Sequence, residues 1–159
     1  MHRMSREAIV GAQKIGGQIT ALVIGKDHGE VVNELLNYEI ERTIVVDHDL
    51  VPTYNVDGYK EIVKQVFFSV NPNFIIAGHT YQSRDFMPRI SAALDIPMLG
   101  DLIEVEKDKY VKQVMNSKLN ASITSNQDKA ILTFQSASFS EEDIIKGSNS
   151  LEKFEVTLD

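Results

Sequence analysis

The stretch FIIAGHTYQSRDFMPRISAALDIP, residues 74–97, joins an apolar run to a polar turn and an amphipathic helix. The run 74–78 is typical of a strand buried on both faces, and it ends at Gly78. In doubly wound proteins, ligands bind at such strand-to-helix turns. The residues after Gly78 therefore form either a binding site or a purely structural turn.

Pro88 constrains where the helix after this turn begins. A proline lacks the N–H group, and this loss is harmless only among the first helical positions. We therefore predict that Asp85 is the N-cap, that residues 79–84 form a loop, and that the helix runs over 86–94. The turn lacks the second and third glycines that let a backbone close around a phosphate. This composition favours a capped turn over a nucleotide site.

Two arginines flank the predicted N-cap. Arginine is favoured for pairing with carboxylates and at protein interfaces. Arg89 stands four residues after Asp85, so the two side chains can form a local ion pair on the helix surface. The alternative is contact with another protein chain, for which Arg84, Asp85 and Arg89 are the candidate residues.

Upstream of this stretch, strands and helices alternate. QITALVIG (18–25) and TIVVD (43–47) are apolar runs typical of buried strands. Helices are predicted at 29–37 and at 55–70, where apolar residues recur at helical spacing. This β-α-β alternation predicts an α/β fold with parallel strands and right-handed crossovers.

Downstream, the pattern becomes antiparallel. LIEVE and YVKQVM, joined by the loop KDK (107–109), predict one hairpin. LNASITS and KAILTF, joined by NQD (126–128), predict a second hairpin. A last strand is predicted at 151–159, where Phe154, Val156 and Leu158 alternate with polar residues.

Composition narrows the functional classes. The chain has 159 residues, of which 43% are hydrophobic, and this is enough for one domain with a sizeable core. A net charge of -7 with scattered basic residues argues against nucleic-acid and membrane partners. The chain has no cysteine, which excludes disulfides and thiolate metal sites and fits a reducing compartment. We expect a cytoplasmic protein.

The remaining polar motifs do not form a catalytic set. His28, His48 and His79 are far apart in sequence and lack metal-ligand spacing. The Asp-His-Asp motif at 47–49 follows a strand and favours a local turn over a carboxylate pair. We therefore predict that the chain is not an enzyme. We expect five aromatic residues in the core, because they lie in apolar patterns: Tyr59, Phe67, Phe68, Phe74 and Phe86.

The segment IIAGHTYQSRDFMPRISAALDIPMLGDLIEVE resembles the N-terminal domain of the electron-transfer flavoprotein alpha subunit. AQKIGGQITALVIG upstream and AILTFQSASF and GSNSLEKFEV downstream extend the resemblance over nearly the whole chain. The positions that fit the family pattern are Ala77, Gly78, Thr80, Arg84, Asp85, Pro88, Arg89, Ala92, Ala93, Leu94, Asp95 and Asp101.

The sequence also departs from the family pattern. Ser83 stands where the family usually has glycine, the pair Ser117 and Lys118 replaces a Gly-Asn pair, and Gln135 replaces an arginine. The apolar strand that precedes the family's first helix is lacking, so we expect a sheet interrupted near its N-terminal end. The family's flavin-holding domain would follow Asp159.

The resemblance implies a Rossmann-like fold, similar to the adenine-nucleotide alpha-hydrolases, with helices on both faces of a parallel sheet and additional antiparallel hairpins. It implies that residues 1–159 form a single scaffold domain that pairs with a beta subunit, and that dehydrogenases and a quinone oxidoreductase are indirect partners. FAD is expected only in a full family assembly, so the isolated chain is predicted to be colourless. The alternative is a stand-alone nucleotide-binding module of the same broad fold.

Overall fold

Helices and strands alternate along the first half of the chain, and strands dominate the second half. A computed structural model describes residues 1–106 and 109–158. The predicted α/β fold class is confirmed. The elements are α1 (Arg3–Ile15), β1 (Thr20–Ile24), α2 (Gly29–Leu35), β2 (Arg42–Val46), α3 (Val56–Val70), β3 (Phe74–Gly78), α4 (Tyr81–Leu94), β4 (Met98–Glu106), β5 (Lys109–Val114), β6 (Leu119–Ile123), β7 (Ala130–Phe134), a 3-10 helix (Glu141–Asp143) and β8 (Ser150–Lys153).

The chain folds into two compact units that are each discontinuous in sequence. The first unit contains Met1, residues 17–71 and the C-terminal residues from Ile145. The second unit contains residues 2–16 and 72–144. That residues 1–159 act as a single domain stays a prediction.

The first unit is built on the parallel sheet β1-β2-β8. The central strand β2 is almost fully buried, as its apolar residues Ile44, Val45 and Val46 predict. Ile44, Val46, Val51, Ile62 and Val66 form the core between this sheet and α3. The strand predicted at 151–159 is shorter than expected, because β8 ends at Lys153. Phe154, Val156 and Leu158 follow it outside regular secondary structure and pack against the same core.

The second unit contains the five-stranded sheet β3-β7-β4-β5-β6. The predicted hairpin between β4 and β5 is confirmed, although Lys107 and Asp108 of its loop lie outside the described residues. The second predicted hairpin is wrong. β6 pairs with β5, and β7 lies between β3 and β4, parallel to both.

The composition of β7 explains this placement. All five of its residues are buried, and a strand that is apolar on both faces is stabilised most in the centre of a sheet covered on both sides. The chain reverses between β5 and β6 instead. Met115, Asn116 and Ser117 there adopt positive φ angles of 56°, 54° and 62°.

Helix α1 packs on β3, β7 and β4 through its buried face. Gly11 allows this close approach, because a Cβ atom there would lie 2.9 Å from Cδ2 of Phe134 and from Cε2 of Phe139. The carboxylate of Glu7 is buried on the same face and accepts a hydrogen bond of 2.8 Å from the Ala137 N–H. The other carboxylate oxygen of Glu7 lies 2.7 Å from Nε of Arg3. These two groups form an ion pair, but they are not aligned for a hydrogen bond.

Two apolar strands, β1 and β3, lie at the edges of their sheets. Among the described residues, β1 pairs only with β2, and β3 pairs only with β7. All residues of β1, and four of the five residues of β3, are half-buried, although both strands are almost wholly apolar. Within the described ranges, strand pairing is divided between two sheets, and the predicted interruption of one sheet near its N-terminal end stays a prediction.

Candidate functional site

The turn after β3 is shorter than predicted, because α4 begins at Tyr81 with Thr80 as its N-cap. Thr80 Oγ1 accepts a hydrogen bond from the Ser83 N–H, and Ser83 Oγ accepts one from the Thr80 N–H, which together form a capping box. The buried Ser83 hydroxyl also donates to the Gly78 carbonyl at 2.6 Å. The predicted loop at 79–84 and the N-cap role of Asp85 are therefore wrong.

Pro88 consequently lies inside the helix rather than at its start. It removes the N–H that would donate to the carbonyl of Arg84, at a typical cost of about 3 kcal/mol in a helix interior. Two features offset that cost. The capping box satisfies the helix start, and Phe86, Met87 and Ile90 bury one face of the helix.

The three predicted partner-binding residues lie together on the exposed side of α4. Arg89 Nη2 lies 3.7 Å from Asp85 Oδ1, which confirms the expected local pair. The guanidinium of Arg84 lies 5.8 Å from the centre of the Tyr81 ring, and Tyr81 is 91% exposed. Sequence reasoning missed Tyr81, although tyrosine and arginine are the residues most typical of interface anchors.

A polar cluster lies where β3 and β7 end, beside the middle of β4. His79 Nδ1 lies 2.8 Å from Thr133 Oγ1, which also accepts a hydrogen bond of 3.3 Å from the Asp101 N–H. Because Thr133 is fully buried, its hydroxyl proton needs an acceptor, and an unprotonated Nδ1 supplies one. The His79 proton is then on Nε2, 4.0 Å from Asp101 Oδ1.

The backbone of β4 places Asp101 in this cluster. The pairing of β4 with β7 shifts register between Leu99 and Leu102, the interval that contains Asp101. Its pairing with β5 shifts register just after Asp101, between Leu102 and Glu104. Asp101 has a φ angle of 62°, which aspartate tolerates better than most residues. Bulges of this kind redirect side chains.

This Thr-His-Asp set does not have the geometry of a hydrolase triad. A nucleophile must reach its substrate, whereas Thr133 is fully buried. The distance of 4.0 Å between His79 Nε2 and Asp101 is also longer than a hydrogen bond. The cluster instead connects the ends of β3 and β7 with the middle of β4.

The electrostatics of the cluster predict a pH-dependent stability. Burial lowers the pKa of His79 below its usual 6.5, Asp101 opposes this shift, and Arg84 and Lys112 reinforce it. His79 therefore binds protons more readily in the unfolded chain than in the folded chain. Neutral His79 therefore contributes to the free energy of unfolding. We expect this contribution to have its largest value above pH 6.5 and to decrease as the pH falls below 6.5.

Urea unfolding of the wild type and of His79→Asn between pH 5 and pH 8 measures this contribution. Asparagine retains an acceptor for the Thr133 hydroxyl but does not titrate in this range. The loss of stability on acidification should be smaller in the variant. Parallel curves for the two proteins would show that His79 contributes nothing.

A second polar group lies where the three parallel strands of the first unit end. His28, Asp47 and His48 line a cavity of about 450 Å³, together with Val45 and residues 153–156. The two histidines are 20 positions apart in the sequence, and their spacing does not predict a shared site. The parallel pairing of β1 with β2 brings their strand ends to one edge. In the described part of the chain, no group of three or more His, Cys, Asp or Glu side chains could hold a metal ion.

Comparison with known proteins identifies the family. The model of the electron transfer flavoprotein domain matches residues 1–159. The chain belongs to this family.

Among the relatives of this electron transfer flavoprotein domain is the alpha subunit of the electron transfer flavoprotein of Bacillus subtilis. It is 27% identical over 107 residues, which are 66% of this chain and 33% of that protein. A probable mitochondrial alpha subunit from Schizosaccharomyces pombe is 23% identical over 141 residues, 85% of this chain and 40% of that protein. The Acryloyl-CoA reductase electron transfer subunit beta of Anaerotignum propionicum is 28% identical over 102 residues, 63% of this chain and 28% of that protein.

The electron transfer flavoprotein domain described here thus spans about a third of the length of the curated relatives that it matches. Among its described residues, no helix has the length and apolar character required to cross a membrane. Its capping box, its exposed Tyr81 and Arg84, and the cluster around His79 all lie in or beside the segment that carried the sequence resemblance.

Proposed function

We propose that this chain is the scaffold domain of an electron-transfer flavoprotein alpha subunit and pairs with a beta subunit. The observation that carries the proposal is the family match over all 159 residues. The chain covers only about a third of each relative, so in this proposal FAD is held by parts of the assembly other than this domain. Dehydrogenases and a quinone oxidoreductase are indirect partners, and the domain itself catalyses no reaction.

The exposed side of α4 is the proposed contact surface, through Arg84, Asp85 and Arg89. Arg84 lies beside the exposed ring of Tyr81, which provides apolar contact area and restricts the guanidinium. A carboxylate of the beta subunit can then pair with a partly ordered arginine. Because the Asp85–Arg89 pair is exposed and local, it contributes little to folding and remains available for exchange with partner charges.

We expect Arg84→Glu to weaken binding to the beta subunit at least tenfold. The change places a negative charge opposite a partner carboxylate, while the melting temperature of the isolated chain changes by no more than about 2 °C, because an exposed charge contributes only about 0–1 kcal/mol to folding. Calorimetric titration with the beta subunit from the same organism, together with thermal unfolding, measures both quantities.

Lys118→Glu is the matched control, since Lys118 is also exposed and the change in charge is the same. Equal weakening by both variants would indicate a general charge effect and would contradict a specific role of Arg84. Unchanged binding of Arg84→Glu would remove this arginine from the contact surface.

Visible spectra test the cofactor part of the proposal. The isolated chain should be colourless after gel filtration, and its complex with a beta subunit should elute earlier than either protein alone. A stoichiometric flavin spectrum from the isolated chain would show that this domain binds the cofactor itself.

A further inference from the structure

The cavity at the carboxyl ends of β1, β2 and β8 has the position and size of a ligand site. Its volume of about 450 Å³ lies within the range of roughly 300–1,000 Å³ that is usual for small-molecule pockets. Its lining follows the ends of all three parallel strands: His28 after β1, Asp47 and His48 after β2, and residues 153–156 at and after the end of β8. In open α/β sheets, ligands bind outside the carboxyl ends of the strands.

The two histidines that line the cavity have opposite tautomers. Nδ1 of His28 lies 2.8 Å from the Gly25 carbonyl oxygen, which can only accept, so Nδ1 carries the proton and Nε2 is an acceptor. Nδ1 of His48 accepts a hydrogen bond from the Leu50 N–H at 3.2 Å, so in the neutral ring Nε2 carries the proton and is a donor. The lining therefore contains one imidazole acceptor and one imidazole donor.

The charges that line the cavity disfavour an anionic ligand. The lining contains the carboxylates of Asp47 and Glu155 against the single ammonium group of Lys153. The nearby Lys26 lies 2.5 Å from Asp49, so its charge is already engaged. A phosphate would meet a net negative surface here, whereas hydroxyl groups can donate to the carboxylates and accept from His48.

One wall of the cavity is apolar. Val45 is buried, and Phe154 and Val156 are half-buried parts of the core below. This wall can cover a flat ring, while the polar residues contact the hydroxyl groups. A side-chain carboxylate after the second strand of an α/β unit is also well placed to accept hydrogen bonds from the hydroxyls of a ribose.

We propose that this cavity binds an uncharged ligand that carries a vicinal diol next to a flat ring, the chemistry of a ribonucleoside. Asp47 accepts hydrogen bonds from the diol, and His28 and His48 supply one acceptor and one donor. Val45, Phe154 and Val156 contact the ring. This site is independent of the α4 surface, since every residue that it uses belongs to the first unit.

Titration of the ¹⁵N-labelled chain with adenosine, followed by amide correlation spectra, tests the site. Saturable shifts should be confined to residues 25–28, 45–48 and 153–156. The compound 2′,3′-dideoxyadenosine should bind at least tenfold more weakly, because it lacks the diol, and AMP should bind no more tightly than adenosine.

Asp47→Ala should also weaken adenosine binding at least tenfold. Asp57→Ala removes the same charge from an exposed position of the first unit and should bind like the wild type. Lack of saturable shifts with adenosine, or equal binding of the dideoxy compound, would overturn the proposal. Tenfold tighter binding of AMP would likewise overturn it, because the site would then select the phosphate. The dideoxy comparison stands even if Asp47→Ala does not fold.

Discussion

The Phe134→Ala variant is expected to lose about 3–5 kcal/mol in the free energy of unfolding, the usual cost of truncating a buried phenylalanine. Phe134 is 1% exposed at the end of β7 and packs edge-on against Phe139, with ring centres 4.8 Å apart. Its ring also lies against Gly11, where α1 approaches the sheet most closely. Truncation would leave a cavity between the helix and the sheet that neither element can close without moving. Urea unfolding at neutral pH measures the loss.

Phe68→Ala is the control for this experiment. The sequence predicts Phe68 to be a core residue, and that prediction is wrong: the side chain is 70% exposed on α3. Truncation there should change the free energy of unfolding by less than about 0.5–1 kcal/mol, as for most surface substitutions. Similar losses in both variants would contradict the assignment of Phe134 to the packed contact between α1 and the sheet.

Glu7→Ala is expected to cost about 1–3 kcal/mol, mainly because the Ala137 N–H loses its acceptor. Ala137 has a φ angle of 65°, so the turn that presents this N–H depends on the carboxylate that holds it. The ion pair with Arg3 contributes less, because the Arg3 side chain is 58% exposed. Chemical unfolding and amide exchange of Ala137 both report the effect, and the exchange should accelerate.

Glu7→Gln separates the hydrogen bond from the charge. Glutamine keeps an acceptor for the Ala137 N–H and should recover most of the lost stability. Glu141→Ala removes a partly exposed carboxylate that pairs with Arg6, and it should cost no more than about 1 kcal/mol. If Glu7→Gln were as unstable as Glu7→Ala, the charge rather than the hydrogen bond would be the stabilising feature.

The elements with strong periodicity could be predicted closely from sequence, and the start of α4 could not. Helix α3 was predicted at 55–70 and occupies Val56–Val70, because its apolar spacing and the Asn55 cap agree. For α4, the expectation that proline lies near a helix start placed the N-cap at Asp85. The capping box formed by Thr80 and Ser83 instead starts the helix at Tyr81. The capping interactions and the buried helix face outweighed the missing N–H of Pro88. A capping box with serine at its third position gives only a weak sequence signal, since glutamate or glutamine is usual there.

Contacts between distant residues account for the other differences. The local sequence around β7 is compatible with a hairpin, and only the burial of both its faces selects the central position between β3 and β4. The Asp85–Arg89 pair was predictable because it depends only on a spacing of four residues along a helix. His28 and His48 line one cavity because β1 and β2 are parallel neighbours, and no spacing rule for a single segment reveals this.

The position of α1 has a consequence for how the chain emerges during its synthesis. Glu7 and its partner Ala137 are separated by 130 residues, and a ribosome that adds about 5–20 residues per second needs roughly 6–26 s to make the intervening chain. Over that interval the apolar face of α1 lacks most of its final packing surface, because β7 must first enter between β3 and β4. The nascent chain therefore exposes an amphipathic helix that chaperones and proteases can reach until the last central strand has been made.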